Sequence, residues 1–414
     1  MERPKMQRLP QRHIHVIAVI AIACWRLAGT TAVHAQTISC LNCHTNEMRL
    51  FSTSAHAQAG LNCVDCHGGD PKISDETAHA TDNFRSPDTK QGIADLCASC
   101  HSDVRRMNPY GLATDQLARY KTSKHGEQLF AHNDQKVAVC TDCHGVHDIL
   151  SPKTPASRVY PTNIPQTCGG CHANAQLMDQ HKLPSNIVAL YKTSYHATML
   201  FEKGDLSAPT CVTCHGSHGA SPPGTAQVGE VCGKCHVRQR ELFDKSPHAE
   251  LAAAGLFNEC VSCHGNHGIQ KASVELFATS CSQCHAKDPK QLQLRDQLAG
   301  LIHRAQADYT NAVTAVHGAT VRGLATDDEQ LLLQEAKTQV TQMEAMQHLL
   351  AVDPLQPIAT RFDGIVKQTL GDVADLARLE RWKRNALGPI WAFLVLMAML
   401  FWAKRRQLEH KRKP

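Results

Sequence analysis

Large aromatic side chains are scarce in this chain: Phe, Tyr and Trp together make up 5% of its 414 residues. Such side chains bury large areas and dominate the cores of ordinary proteins. Their scarcity argues against a conventional apolar core that holds the whole chain together. The interior therefore needs another large apolar component.

Positive charge is also missing from the central part of the chain. The formal net charge is +5, but the first 35 residues contribute +4 and the residues after Ala403 contribute +5, which leaves −4 for residues 36–403. Proteins that bind nucleic acid usually carry a basic patch. The balance excludes a nucleic-acid partner and favours a cationic protein partner.

Cysteine, in contrast, is abundant and strictly patterned. Eighteen of the nineteen cysteines form nine C-x-x-C pairs, and each pair is followed at once by histidine. We number these motifs one to nine in chain order. They are Cys40/Cys43/His44, Cys63/Cys66/His67, Cys97/Cys100/His101, Cys140/Cys143/His144, Cys168/Cys171/His172, Cys211/Cys214/His215, Cys232/Cys235/His236, Cys260/Cys263/His264 and Cys281/Cys284/His285.

C-x-x-C-H is the attachment sequence of c-type haem. Two thiols one helical turn apart can bond to the two vinyl groups of a porphyrin, and the adjacent imidazole binds the iron. Zinc knuckles, redox dithiols and disulfide scaffolds also use C-x-x-C pairs, but none of them requires histidine after every second cysteine. The sequence therefore predicts nine covalently bound haem c groups. At about 27 residues per motif, these groups must form the core themselves.

A second pattern, [FY]-x-[TK]-S-x-H, occurs four times, in copies that start at Phe51, Tyr120, Tyr191 and Phe243. Each copy is followed by a C-x-x-C-H-G-x-H segment and then by a plain C-x-x-C-H, so that one repeat holds two motifs. We predict that the extra histidines are second axial ligands, which would make each iron bis-histidine. They are His56, His125, His196 and His248, here called the SxH histidines, and His147, His218 and His267, here called the GxH histidines. In the first copy, the segment departs from this form at its last position.

Nine irons need nine second ligands, and the repeat supplies seven. In the first copy Asp70 stands where a GxH histidine should be, and His79 is its predicted substitute. The ninth ligand stays open. The candidates are Met48, His132, His181, His303, His317 and His348, or no ligand at all. For each extra histidine, a surface imidazole is the competing interpretation.

With these motifs, residues 40–285 resemble the multihaem c-type cytochromes of respiratory bacteria, in particular those with doubled C-x-x-C-H motifs and the octahaem and pentahaem groups. The resemblance implies a mainly α fold with much irregular coil, in which haems stack in alternating parallel and T-shaped pairs. It also implies that one repeat often donates a ligand to the haem of another. Family members that act on nitrite, hydroxylamine or tetrathionate leave one haem with an open or exchangeable site. The lysine variant C-x-x-C-K of nitrite reductases is absent from this sequence.

Both ends of the chain carry apolar segments. Residues 1–35 are predicted to be a cleaved signal peptide, because a basic start precedes an apolar run and a small-residue cleavage site. Lipid attachment at Cys24, the one cysteine outside a motif, is the weaker alternative. Residues 386–403 are predicted to span the membrane, with the basic tail 404–414 in the cytoplasm. A buried core helix is the competing interpretation of that span.

Residues 286–385 contain no cysteine and are predicted to form long helices that brace the haem module, residues 36–285, above the bilayer. Apolar residues recur there at helical spacing. The stripes run from Leu294 to Val316, from Ala336 to Leu350 and from Val366 to Ala377. Thr326 is predicted to cap the second helix and Asp353-Pro354 to end it.

Together these features predict a membrane-anchored periplasmic electron carrier rather than a stand-alone enzyme. The expected partners are a quinol-oxidising or other respiratory complex of the cytoplasmic membrane, and periplasmic redox proteins. The alternative is an oxidoreductase that acts on a small nitrogen or sulfur oxyanion at one haem with an open site. Asp70 and the unassigned ninth ligand motivate that alternative, although no residue is predicted to be catalytic.

Overall fold

The computed structural model describes residues 39–223 and 228–410. The predicted signal peptide, with Cys24, lies outside these residues. Within them the chain is mainly α-helical with irregular connections and no β-strand, as the sequence predicts. The chain divides into two compact units, Met1–Ser86 and Pro87–Pro414.

The described part of the first unit, residues 39–86, consists of short helices joined by turns. Its α-helices are α1 (Thr45–Phe51), α2 (Ala55–Gln58) and α3 (Cys63–His67), with 3-10 turns at Ser39–Asn42 and Glu76–His79. Helix α3 begins with a capping box. The Asn62 side chain accepts a hydrogen bond from the Val64 N–H, and Asp65 accepts one from the Asn62 N–H.

The second unit begins with many short helices. They are α4 (Lys90–His101), α5 (Val104–Met107), α6 (Gln116–Thr122), α7 (Lys124–His132), α8 (Cys140–His144), α9 (Ile164–His172), α10 (Ala175–Gln180), α11 (Ile187–Lys192), α12 (Tyr195–Phe201), α13 (Cys211–His215), α14 (Val228–Gly233), α15 (Val237–Phe243), α16 (Pro247–Ala253), α17 (Glu259–His264) and α18 (Ser282–His285). A π-helical turn, Phe277–Cys281, precedes α18. Apolar packing among these helices is sparse, and one small cluster joins Ala94, Leu129, Val137 and Val139. Such small clusters cannot serve as the main core of this region.

Three long helices follow, and they form a bundle with alternating direction: α19 (Pro289–Val321), α20 (Asp327–Met346) and α21 (Gln356–His410). The core at one end contains Leu298, Met343 and Phe362, which are almost inaccessible to solvent. A smaller cluster at the other end joins Val316, Ala319 and Val373. The predicted helices are therefore confirmed.

The predicted end of the second helix is wrong by several residues. Thr326 occupies the N-cap position of helix α20, although its side chain makes no capping hydrogen bond, and the helix ends at Met346 rather than at Asp353-Pro354. A 3-10 turn at Gln347–Leu349 follows, and Leu350 then adopts a left-handed backbone conformation with φ of 54°. This conformation is uncommon outside glycine, so the sequence does not signal it.

The third predicted helix and the predicted membrane span form one continuous helix. Helix α21 has 55 residues, and its apolar part is long and apolar enough to cross a membrane. None of its most apolar 18-residue window is buried within the protein. Large side chains such as Trp391, Phe393 and Phe401 are exposed there. This exposure argues against the interpretation as a buried core helix.

Candidate haem-binding site

Several motifs form a single turn of helix that places two thiols and one imidazole together. In helices α3, α8 and α13 the first cysteine begins the helix and the histidine ends it. The glycine after the histidine has a positive φ in every C-x-x-C-H-G segment: Gly68 (67°), Gly145 (88°), Gly216 (84°) and Gly265 (71°). Glycine adopts this conformation at little cost, so it turns the chain away directly after the ligand.

The serine of the [FY]-x-[TK]-S-x-H pattern caps the helix that carries the SxH histidine. The hydroxyls of Ser54, Ser123 and Ser194 each accept a hydrogen bond from the backbone N–H three residues later. All three serines are buried. The cap fixes the first turn of the helix, and the histidine lies in that turn.

The aromatic residue of the same pattern ties this helix to the next motif. The hydroxyl of Tyr120 donates to the Ala138 carbonyl oxygen (2.7 Å), and that of Tyr191 donates to the Pro209 carbonyl oxygen (2.9 Å). Both carbonyls lie two residues before the first cysteine of a motif. Burial raises the pKa of both phenols, that of Tyr191 to about 12, so both stay neutral donors.

Replacing Ser194 by alanine should lower the free energy of unfolding by about 1 kcal/mol, because the buried N-cap hydrogen bond is lost. The matched control is Ser246→Ala in the fourth repeat. Ser246 is also buried, but its hydroxyl has no hydrogen-bond partner among the described residues. That change should stay within about 0.5 kcal/mol. Local amide hydrogen exchange of α12 and α16 measures both, and equal losses would contradict the assigned role of the serine.

At least seven of the nine motif histidines face a second histidine ring. The centroids of the two rings lie 5.9–6.4 Å apart in all seven pairs. The pairs are His44 with His79, His172 with His125, His144 with His218, His236 with His196, His215 with His267, His285 with His248, and His264 with His348. The other two motif histidines, His67 and His101, and the predicted ligands His56 and His147 also have interaction partners.

This spacing fits one iron between two imidazoles. An imidazole nitrogen binds a first-row metal ion at about 2.0–2.1 Å, and the ring centre lies about 1.1 Å behind that nitrogen. Two imidazoles on opposite sides of one iron therefore place their ring centres about 6.2 Å apart.

The eighteen motif cysteines are free thiols, and none of them is buried by surrounding side chains. All nine first cysteines are half-buried: Cys40, Cys63, Cys97, Cys140, Cys168, Cys211, Cys232, Cys260 and Cys281. The second cysteines differ more. Four are exposed, namely Cys43, Cys214, Cys235 and Cys284, and five are half-buried, namely Cys66, Cys100, Cys143, Cys171 and Cys263. The protein thus leaves both thiols of each motif accessible, as attachment of a porphyrin requires.

The thiols are not gathered into metal-binding clusters. Within residues 39–223 and 228–410, no group of three or more His, Cys, Asp or Glu side chains could hold a metal ion. A structural zinc site needs four such ligands around one point, whereas thioether bonds leave the iron to the imidazoles. Cys100 instead accepts a hydrogen bond from the Arg106 guanidinium at 3.3 Å. Haem attachment stays a prediction for every motif cysteine, including the second cysteines Cys43, Cys66 and Cys100 of motifs one to three.

The protonation state of several of these rings also fits iron binding. Burial lowers the pKa of both members of several pairs, such as His125 and His172 or His144 and His218, because desolvation disfavours the charged ring. A neutral imidazole is the form that binds iron. In motifs two and six the other ring nitrogen, Nδ1, donates to a backbone carbonyl. His67 donates to Arg85 (2.9 Å) and His215 to Ser221 (3.2 Å), which leaves Nε2 for the metal.

The pairing follows a rule in the second unit. An SxH histidine faces the second motif of its own repeat. The examples are His125 with His172, His196 with His236, and His248 with His285. A GxH histidine instead faces the first motif of the repeat before it: His218 with His144, and His267 with His215. In the first unit, the predicted substitute His79 faces His44 of motif one.

Backbone hydrogen bonds join the repeats in the same order. The N–H of Lys124, next to His125, donates to Ala220, two residues after His218. The N–H of Tyr195 donates in the same way to Ile269, two residues after His267. The segments that carry His218 and His267 are thereby held against the preceding repeats.

Cysteines of consecutive motifs also meet. The first cysteines are hydrogen-bonded between motifs three and four (Cys97 and Cys140), five and six (Cys168 and Cys211), and seven and eight (Cys232 and Cys260). The hydrogen bond raises the pKa of Cys168 and lowers that of Cys211. Second cysteines interact electrostatically between motifs four and five (Cys143 and Cys171), six and seven (Cys214 and Cys235), and eight and nine (Cys263 and Cys284). The seven motifs of the second unit therefore follow one another in space as they do in sequence.

A buried ion pair lies between motifs seven and eight. Arg240 of α15 donates to Glu259 at 2.7 Å, and the second carboxylate oxygen of Glu259 accepts the N–H of Gly229. Glu259 is buried, and its φ is 40°, an unusual value for a side chain of this type. Its charge influences the neighbouring thiols of Cys232 and Cys260. This pair could not be predicted from the sequence, because its two charges are 19 residues apart and follow no motif.

The other candidates for the ninth ligand do not join these ring pairs. Nε2 of His181 lies 3.6 Å from a carboxylate oxygen of Asp134. Met48 is largely exposed. His303 and His317 lie on α19, and His132 ends α7. Among these candidates, His348 is the one whose ring faces a motif histidine.

Residues 55–173, which contain motifs two to five, match the model of a family described as Cytochrome c3. No curated protein and no solved structure matches the chain. The family match supports a multihaem electron-transfer cytochrome with covalently bound haem c.

Proposed function

We propose that the protein is a nine-haem electron carrier, anchored in the cytoplasmic membrane and exposed to the periplasm. Bound haem would supply one-electron redox chemistry at each motif. The observation that carries the proposal is the set of histidine pairs with a ring spacing of 5.9–6.4 Å, each containing a motif histidine. Nine motif histidines and nine second histidines would then serve nine irons, with His56 and His147 completing the count.

In this proposal the chain itself fixes the distances and the order of the sites. Hydrogen-bonded first cysteines and neighbouring second cysteines keep consecutive motifs in contact. Two imidazoles on each iron would leave no open coordination position for a substrate. Bis-histidine ligation also favours lower potentials than histidine with methionine, which suits a low-potential respiratory chain.

Charge and topology support the proposed membrane placement and the proposed partners. The apolar end of α21 would anchor the protein, and the basic residues after Ala403 favour a cytoplasmic tail. The net charge of −4 on residues 36–403 favours cationic redox partners in the periplasm. A quinol-oxidising or other respiratory complex in the same membrane is the donor that this placement favours.

The enzymatic alternative depended on two missing ligands, at Asp70 and at the ninth iron. Two histidines outside the seven that the repeat supplies, His79 and His348, each face a motif histidine. These two histidines would fill the shortage that motivated an open haem, which supports the electron carrier.

Electron paramagnetic resonance of the oxidised, full-length protein in detergent tests the proposal. We expect nine haems per chain by pyridine haemochrome assay and a spectrum in which all ferric iron is low-spin, because every iron has two imidazole ligands. A high-spin signal from about one iron in nine that responds to nitrite or hydroxylamine would instead support the oxidoreductase.

A further inference from the structure

The eighth motif belongs to the last repeat, so no following repeat can supply its second ligand. In the second and third repeats the first motif receives a GxH histidine from the next repeat: His144 faces His218, and His215 faces His267. The same position in the fourth repeat is His264 of motif eight. The cysteine-free segment after motif nine leads directly into the helical bundle.

The bundle presents a histidine to this motif with the geometry of a GxH histidine. The ring of His348 lies 6.2 Å from that of His264, with an interplanar angle of 20°. The two GxH pairs have spacings of 6.0 and 5.9 Å and angles of 16° and 17°. The distance and the near-parallel orientation of the His264 pair therefore match those of the internal pairs.

The surroundings hold His348 in the form and orientation of a ligand. Its Nδ1 donates to the carbonyl oxygen of Ala345 at 2.9 Å, which leaves Nε2 without a proton and directed away from its own turn. The 3-10 turn that carries His348 packs against α15, the helix that follows motif seven.

The fourth repeat also lacks the backbone donor that would join it to a fifth. In the second and third repeats the residue before the SxH histidine, Lys124 or Tyr195, donates its N–H to the following repeat. In the fourth repeat that residue is Pro247, which has no N–H. The backbone hydrogen bond that joins one repeat to the next is therefore absent at Pro247, and the bundle follows the fourth repeat instead.

We propose that His348 is the second axial ligand of the motif-eight iron and that the α19–α21 bundle is the terminal cap of the repeat array. Repeat arrays need end units that satisfy what the missing neighbour would supply. Here the end unit supplies a metal ligand as well as an apolar surface. The inference rests on the proposed function, since both require haem at His264.

The test uses the full-length holoprotein in detergent with His348→Ala. We expect about one ferric iron in nine to become high-spin, and the reduced protein to bind one carbon monoxide per chain, because one iron loses its second ligand. Added imidazole should restore the low-spin spectrum. The matched control is His317→Ala, a bundle histidine outside the ring pairs, which should change neither the spin state nor carbon monoxide binding.

A second variant, His348→Met, separates ligation from folding. Methionine can bind the iron in place of histidine and raises its potential. We expect all nine irons to remain low-spin while one haem titrates at a higher potential than in the wild type. If both His348 variants keep nine low-spin irons with unchanged potentials, the assignment of His348 is overturned while the electron-carrier proposal stands. If the wild type itself lacks nine low-spin haems, the electron-carrier proposal fails first.

Discussion

Replacing Phe362 by alanine should lower the local free energy of unfolding of the α19–α21 bundle by about 3–5 kcal/mol. Phe362 is 1% exposed and lies in the core with Leu298, Met343 and Leu355. Removal of its ring leaves a cavity at the bundle end that carries His348. Amide hydrogen exchange of α19 and α20 in the holoprotein measures the loss.

The control for this prediction is Leu331→Ala on α20. Leu331 is 63% exposed, so its truncation should cost less than about 0.5 kcal/mol. If the amides of α19 and α20 exchange at the same rate in the two variants, Phe362 does not stabilise the bundle core, contrary to what its burial indicates. The Phe362 variant should also show part of the high-spin iron expected for His348→Ala, because an opened bundle withdraws the ligand.

Replacing Gly229 by alanine should lower the stability around motifs seven and eight by about 3–5 kcal/mol. A Cβ at this position would collide with the Arg240 guanidinium and with the Glu259 carboxylate. Either the buried ion pair opens or α14 moves away from α17. Breaking one side of a buried pair leaves a charge without compensation, which is costly. Hydrogen exchange of α14, α15 and α17 reports the change.

Gly364→Ala on α21 provides the control, because no atom lies within 4 Å of the Cβ that it would gain. Alanine has the higher helix propensity, so this change should be neutral or stabilising by up to about 1 kcal/mol. If the Gly229 variant is as stable as the Gly364 variant, the Arg240–Glu259 ion pair rearranges around the new Cβ without loss of stability. The potentials of two adjacent haems should shift only in the Gly229 variant, since Glu259 influences the thiols of both motifs.

Most residues of the candidate site could be predicted from sequence because they carry a local signature. C-x-x-C-H brings two thiols and one imidazole together, and Ser54, Ser123 and Ser194 cap the helices of three SxH histidines. The SxH histidines His125, His196 and His248 and the GxH histidines His218 and His267 all face motif histidines. His79 and His348 lie outside these signatures.

Which histidine faces which motif could not be predicted, because the answer depends on contacts between repeats. His218 follows motif six in sequence yet faces motif four. His348 has no repeat signature around it. The turn that carries it ends at Leu350 in a left-handed backbone conformation, where glycine or asparagine would be the usual signal in a sequence. The long helices were predictable from apolar periodicity, but their ends depend on such turns.

The continuity of α21 has a consequence for where electrons can enter. The helix begins at Gln356, at the bundle end near His348, and its apolar run begins 30 residues later at Ala386. At about 1.5 Å per residue, this part of the helix extends about 45 Å. With the apolar run in the membrane, as proposed, this part of the helix would hold motif eight far from the lipid. A membrane complex that delivers electrons to motif eight would then need a domain that extends well outside the bilayer.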